Sequence, residues 1–415
     1  MKKYFSILKI LITLLFLYQQ LHATVLTVGK QKHFPSIKQA LEQCKNGDTI
    51  LVYKDVYKEQ NIIIDKSIML KGLDQPVLDG EHKYEIISVK ADNVVVDGFH
   101  LQHSGRSNVD DIAGLKIYNA HNVVISNNSL DDTFWGIYTL YGVSCTIINN
   151  RLKAFGKGEL ESGNGIHCWK CDSMHITGNT VTGHRDGIYF EFVTNSVILK
   201  NTSVGNIRYG LHFMFSHNDE YISNVFEKNG AGVAVMFSHG VKMFKNYFEE
   251  NWGDAAYGIL LKEISDSYIG NNYFVRNTMG IYMEGTTRIK VEKNVFDGNG
   301  WAMRVQASCS ENTVINNNFI NNTFDVATNG SLVLNNFDHN YWDKYEGYDL
   351  NKDKTGDVPY RPVSLYSMIA ESNPTVMMLF RSFMVTLFDK TEKVLPGIIP
   401  ENLKDDFPLM KPLQL

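Results

Sequence analysis

The sequence predicts an all-β protein: a right-handed parallel β-helix with coils of about 22 residues, an N-terminal capping helix and a C-terminal helical extension. Three observations predict it. A glycine anchor recurs at Gly114, Gly136, Gly165, Gly187, Gly210, Gly232, Gly258 and Gly280, with Ala302 in the ninth place. An asparagine follows every anchor at one fixed offset: Asn128, Asn150, Asn179, Asn201, Asn224, Asn246, Asn272, Asn294 and Asn316. The residue after each anchor is apolar, and a later column becomes the run Phe226, Phe248, Phe274, Phe296. Strand-like alternation around the anchors makes each period one coil. Like residues then stack at about the inter-strand spacing of 4.8 Å. The asparagines are expected to form amide ladders in the turns, and the aliphatic and phenylalanine columns to fill the bore. Two longer gaps place insertions at residues 155–163 and 251–257, which map to loops on one face.

Taken in order, residues 1–23 read as an export leader. Lys2 and Lys3 precede an apolar run at residues 7–17, and Ala23 offers a small residue at the cut. The run is short for a membrane anchor, and no cysteine stands at the junction for lipidation. Export from the cytoplasm follows. The formal net charge is −5. The leader carries three lysines and no acid, so its loss takes the charge to −8. With no basic run, a nucleic-acid partner is not expected.

Residues 24–113 should form the cap and first coils. Ser36 is the expected N-cap of a helix whose face is Ile37, Ala40, Leu41 and Cys44. A solenoid end exposes its bore, and this helix would cover it. Central repeats occupy residues 114–336 and an aromatic closing segment residues 337–363. Asp349, Asn351, Asp353 and Asp357 there read as turn chemistry, with a calcium loop as the weaker reading because the terminal glutamate is missing. Residues 364–415 form an extension in two helices or one kinked helix, with an extended tail from residue 395. It is too interrupted by Glu371, Pro374 and Arg381 to span a bilayer. Met377, Phe380, Phe383, Met384 and Phe388 make it a candidate docking element.

The five cysteines are odd in number and sparse, so they are not a disulfide framework. Cys168 and Cys171 form a lone C-x-x-C, open to readings as packed thiols, a disulfide, a redox pair or a soft-metal pair.

Chemistry should sit on the outward positions two and four residues after each anchor. Only Glu191 and Glu284 are acids there, four coils apart. That separation is too wide for the paired carboxylates of glycoside hydrolysis. His212 and Met214 instead share one strand face, and Met236 stacks on Met214. His167 and Glu191 lie one or two coils back, and His217 and His239 follow at matching positions. Thioether plus imidazole suits Cu(I). The candidate metal ligands are therefore Met214, Met236, His212, His217, His239, His167 and Glu191. The same face, with Trp169 and Tyr189, would equally serve protein docking. Met243 and Met283 point inward and read as core. His33, His82 and His121 read as surface or turn residues.

The opening pattern of helix, Gly47-Asp48-Thr49-Ile50 and Asp79-Gly80 resembles pectate-lyase-like β-helix proteins. The stretches Gly210–Ser216, Gly232–Ser238 and Gly258–Ile264 are similar to the centre of the NosD family. So are Asn340-Tyr341-Trp342-Asp343, Gly347-Tyr348-Asp349, residues 356–362 and the tail at residues 405–410. The resemblance implies a periplasmic, non-enzymatic accessory protein for the copper centres of nitrous-oxide reductase. It implies as partners an ABC transporter of permease and ATPase, a copper-carrying lipoprotein and the reductase itself. Contact with the membrane would be through the permease, docked by the C-terminal helices. The alternatives are a secreted polysaccharide lyase, hydrolase or epimerase on the same scaffold, and a metal-free assembly scaffold.

Overall fold

The computed structural model describes residues 23–107, 109–156, 158–253, 255–330, 334–379, 382–385, 387–388 and 403–415. The leader assigned to residues 1–23 therefore lies, but for Ala23, outside the described residues. The chain winds as a right-handed parallel β-helix whose three faces are sheets of fourteen, twelve and thirteen strands. The anchors sit on the twelve-stranded sheet, where Ile188, Leu211, Val233, Ile259 and Ile281 are direct neighbours on successive coils. Glycine is needed at the anchor because the coils close tightly there. A Cβ on Gly258 would lie 2.7 Å from the Gly280 carbonyl oxygen and 2.8 Å from Phe274 Cδ1.

The bore is columnar. Phe226, Phe248, Phe274, Phe296, Phe319 and Trp342 stack face to face along it, with centroids 4.1–5.3 Å apart. Met243 and Met283 are fully buried, as expected of core residues. All five cysteines are buried free thiols, which removes the disulfide reading of Cys168 and Cys171.

The asparagine ladder is present. Asn224 Nδ2 donates to the Asn246 side-chain oxygen at 3.0 Å and to the Ile198 carbonyl at 3.0 Å, while its own side-chain oxygen accepts from Asn201. Such pairing satisfies buried polar groups that would otherwise cost stability. One rung differs from expectation: Asn294 pairs with Asn317, not Asn316. One extra residue enters between Val305 and Ser310 of the same coil, and Asn316 takes the left-handed corner position at φ 56°. A second ladder was not foreseen from the anchors. It runs Asn206, Asn229, Asn251, Asn277, Asn299 and Asn322 along another corner.

Both ends are closed. Helix α1 (Ile37–Gln43) is capped by Ser36, which accepts from the Gln39 amide at 3.3 Å. The Glu59 carboxylate accepts from the Ile37 and Lys38 amides at its positive end, and Ile37, Ala40 and Leu41 face the bore. At the far end, residues 403–415 return to the solenoid, which corrects the expectation of a docking extension reaching to the last residue. Asp405 is fully buried and accepts from the amides of His339 and Asn340, the Asn340 side chain and the Trp342 indole. It thus terminates the asparagine ladder.

Helix α2 (Leu365–Ser372) starts at a Ser364 capping box, and a 3₁₀ turn follows at Pro374–Leu379. Glu371 pairs with Arg304, which pins α2 to the last coils. Among the described residues no helix is long and apolar enough to cross a membrane. In the closing segment, Asp349 accepts from the amides of Asp353 and Lys354, and Asp357 from Leu350. The carboxylates considered for calcium are thus engaged in turns.

Candidate functional site on the twelve-stranded face

The outward columns of the twelve-stranded sheet carry the expected residues in register. Two places after the anchors run Tyr138, His167, Tyr189, His212, Ala234 and Leu260. Four places after run Trp169, Glu191, Met214, Met236, Lys262 and Glu284. The pairings place Glu191 and Glu284 four coils apart, and Glu284 is bound to Lys262 at 3.0 Å.

The first of these columns points away from the bore but is covered, which corrects its reading as an open surface. His167 and His212 are each only 5% exposed. Their rings interleave with aromatics. Tyr138, His167, Tyr189 and His212 follow one another at 4.5–4.6 Å. Trp135 lies 5.0 Å from His167, with Gly163 of the first insertion directly on the Trp135 ring. The second insertion contributes Tyr257, which packs with Ala234, Leu260 and Met236.

The two buried histidines have opposite hydrogen-bond environments. Arg185 donates to the Asn164 side-chain oxygen at 3.2 Å, so the Asn164 amide nitrogen is the group that meets His167 Nδ1 at 3.3 Å. His167 Nδ1 must accept, which puts the proton of the neutral ring on Nε2, where no partner waits. Burial, aided by the nearby Arg185 charge, pushes the His167 pKa down to about 3 and keeps the ring neutral. That arrangement opposes its candidacy as an Nε2 metal ligand. His212 is the reverse. Its Nδ1 faces Asp186 Oδ2 at 3.4 Å, so Nδ1 carries the proton and Nε2 offers a free, buried lone pair. A carboxylate behind an imidazole is the usual support for a metal-binding histidine.

Asp186 was not among the residues singled out from the sequence. It is fully buried, and Arg208 grips it through two bonds of 2.8 and 2.5 Å. Burial alone would raise its carboxyl, but Arg208 and His212 outweigh that and hold it below the ordinary range. The usable signal was the acid directly before an anchor, Gly187, on the same face.

Met214 and Met236 are half-buried neighbours on adjacent strands, and the Tyr189 hydroxyl donates to Met214 Sδ at 3.4 Å. Glu191 is the direct neighbour of Met214 on the preceding coil. His217 and His239 belong elsewhere. They lie past the coil corner with their rings stacked at 4.1 Å, and His217 Nδ1 accepts from the His239 amide. The corner between carries a ridge that was also missed: Phe192, Phe215 and Phe237 stack at 5.2 and 5.0 Å, and all three are exposed. Tyr141 and Trp169, one coil apart at its end, meet edge to face.

Of the candidate docking residues, Tyr189 is buried in the aromatic column and Trp169 is half-exposed beneath Lys170. Phe383 and Met384 are exposed, while Phe388 lies half-buried against Tyr366. Phe380 lies outside the described residues, as does the Met377 side chain.

Comparison with known proteins agrees with this architecture. Residues 153–352 match the family model described as NosD, periplasmic copper-binding protein. A probable ABC transporter binding protein NosD of Pseudomonas aeruginosa is 26% identical over 372 residues, covering 85% of this chain and 86% of that protein. Its namesake from Stutzerimonas stutzeri is 25% identical over 176 residues, covering 38% of this chain and 40% of that one. Among solved structures, the Streptococcus pneumoniae surface adhesin PfbA superposes with a TM-score of 0.56 at 12% identity, over 70% of this chain and 87% of that one. A GH87 α-1,3-glucanase from Streptomyces thermodiastaticus gives 0.54 at 11% identity, over 74% and 62%. These two likenesses establish the solenoid alone. The repeat region that matches the family model holds the His212, Met214 and Met236 face, so the likeness to NosD proteins falls on the candidate site itself.

Proposed function

We propose that this protein takes part in periplasmic copper delivery and copper-site assembly for nitrous-oxide reductase, working beside an ABC transporter. The description of the matching family model and the names of the similar proteins support the periplasmic, copper-binding and transporter-associated parts. The single observation that carries the copper reading is His212: its Nε2 has no partner, and the Met214 and Met236 thioethers stand in the adjoining column of the same face, which an exposed aromatic ridge flanks. Imidazole with thioether favours Cu(I). In this reading His212, Met214 and Met236 hold the ion and Glu191 borders it. The copper is cargo, received from a copper-carrying lipoprotein and passed on. The ridge of Phe192, Phe215 and Phe237 offers apolar area for a protein partner. The exposed Phe383 and Met384 suit contact with the permease.

Anaerobic Cu(I) titration tests it. The wild-type chain should take up one tight equivalent, and Met214→Ala with Met236→Ala should weaken it at least tenfold. Equal affinity in the double variant would move copper off this face. The ridge observation favours a second reading, a metal-free scaffold. Wild-type protein that binds no Cu(I), alone or with its copper donor, while retaining its partners, would select that reading. Turnover of a uronic-acid polymer would instead select an enzyme.

A further inference from the structure

A second group of metal-ligating side chains lies far from the copper face, on the early coils before residue 153 where the family match begins. His82, His103 and Asp132 each offer one ligand atom, and these atoms lie within 4.8 Å of one another. Their backbones explain the convergence. All three occupy left-handed corner positions, at φ 56°, 55° and 50°. The corners stack: the His82 amide donates to the His103 carbonyl at 2.8 Å, and the His103 amide to the Asp131 carbonyl at 3.3 Å. The coil geometry thus brings the three side chains together from residues far apart in sequence. The His82 and His103 rings sit 4.5 Å apart.

The surroundings are organised as well. Asp79 holds His103 Nδ1 at 3.1 Å. Asp79 is itself fixed by the Glu81 amide at 2.9 Å and the Gln102 side chain at 3.0 Å. Arg106 takes Asp132 Oδ1 at 2.9 Å, while Asp132 Oδ2 faces His82 Nδ1 at 3.9 Å. The carboxylate is therefore anchored through one oxygen and offers the other.

We propose that His82, His103 and Asp132 form a binding site for a divalent transition-metal ion, distinct from the copper face. Two imidazoles and one carboxylate are a borderline ligand set suited to Zn²⁺, Ni²⁺ or Cu²⁺, and water can complete the shell on the solvent side. Asp79 orients His103 through Nδ1, so that Nε2 is the nitrogen offered. The donor set contains no sulfur, which separates it chemically from the thioether site for Cu(I).

Isothermal titration of the full chain with Zn²⁺ tests the site. One saturable equivalent is expected. His82→Ala and His103→Ala should each weaken it at least tenfold, and Asp79→Asn, which keeps all three ligands, by about tenfold. The Met214→Ala, Met236→Ala double variant should bind Zn²⁺ as the wild type does. Absence of a saturable equivalent, or wild-type affinity in both histidine variants, would overturn the proposal. Should an alanine variant fail to fold by circular dichroism, the near-isosteric Asp132→Asn supplies the same reading.

Discussion

The inward and outward columns of the twelve-stranded sheet run through the same coils but obey different rules. Inward, the positions are filled by packed side chains: Phe213 and Val235 are fully buried among their neighbours, and the adjoining phenylalanine stack holds a ring spacing of 4.9 Å from Phe248 through Phe274 to Phe296. Outward, two histidines stand two coils apart in one column and receive opposite partners, an amide nitrogen at His167 and a carboxylate at His212. Repetition suits stability, because each coil solves the burial problem for the next. On the outward side the partners differ from coil to coil, and at His212 the difference leaves a buried ring nitrogen free to act as a ligand.

The largest break in this comparison comes from the inward side. Phe274→Ala opens a gap between Phe248 and Phe296, which lie 4.9 Å to either side. It should cost about 4 kcal/mol, read from the denaturant midpoint, with little change in Cu(I) affinity once the protein is folded. A large copper effect with intact stability would erase the distinction between the columns.

A middle-sized effect concerns pH. Burial lowers the pKa of His167 to about 3 and that of His184 to about 4. Both rings stay neutral in the fold but take up protons in the unfolded chain below its ordinary value near 6.5. Their contribution is therefore complete above that value and is lost as pH falls toward 4 and 3. Each should contribute a slope of about 1.4 kcal/mol per pH unit within its window. Asp219, pushed up to about 8 by burial, works in the opposite direction as pH rises. The histidine slope is therefore read as the difference between wild type and His184→Leu, by urea unfolding from pH 7 to pH 4.5. Parallel curves for the two proteins would show that His184 is not held neutral.

The smallest effect on stability is the sharpest on function. His212→Asn should weaken Cu(I) binding at least tenfold, while His167→Asn should change it less than twofold. Equal losses would mean that the hydrogen bonds of Asn164 and Asp186 do not separate the two rings.

Much of the coil was readable before the fold was known. The interval between glycines and asparagines is itself the geometry of a turn, so the ladder, the inward Met243 and Met283, and the separation of Glu191 from Glu284 followed from spacing. The slip at Asn316 shows the limit of that reading. An inserted residue shifts the register; the coil pairings place it between Val305 and Ser310, and Asn317 then takes the rung. Alternation also says which side chains leave the bore, but not what lies over them. The cover on His167 comes from Trp135 and the insertion against it, and that on Ala234 from Tyr257.

By itself, then, the sequence determined the solenoid, its period, its capped N-terminal end and the columns on which histidine and methionine fall, because these depend on local repetition. The tertiary structure decided which histidine can offer a lone pair, that the tail closes the ladder through Asp405, and that His82, His103 and Asp132 meet at one corner. Those outcomes depend on contacts between coils and loops, where a proton's position is set by neighbours distant in the chain.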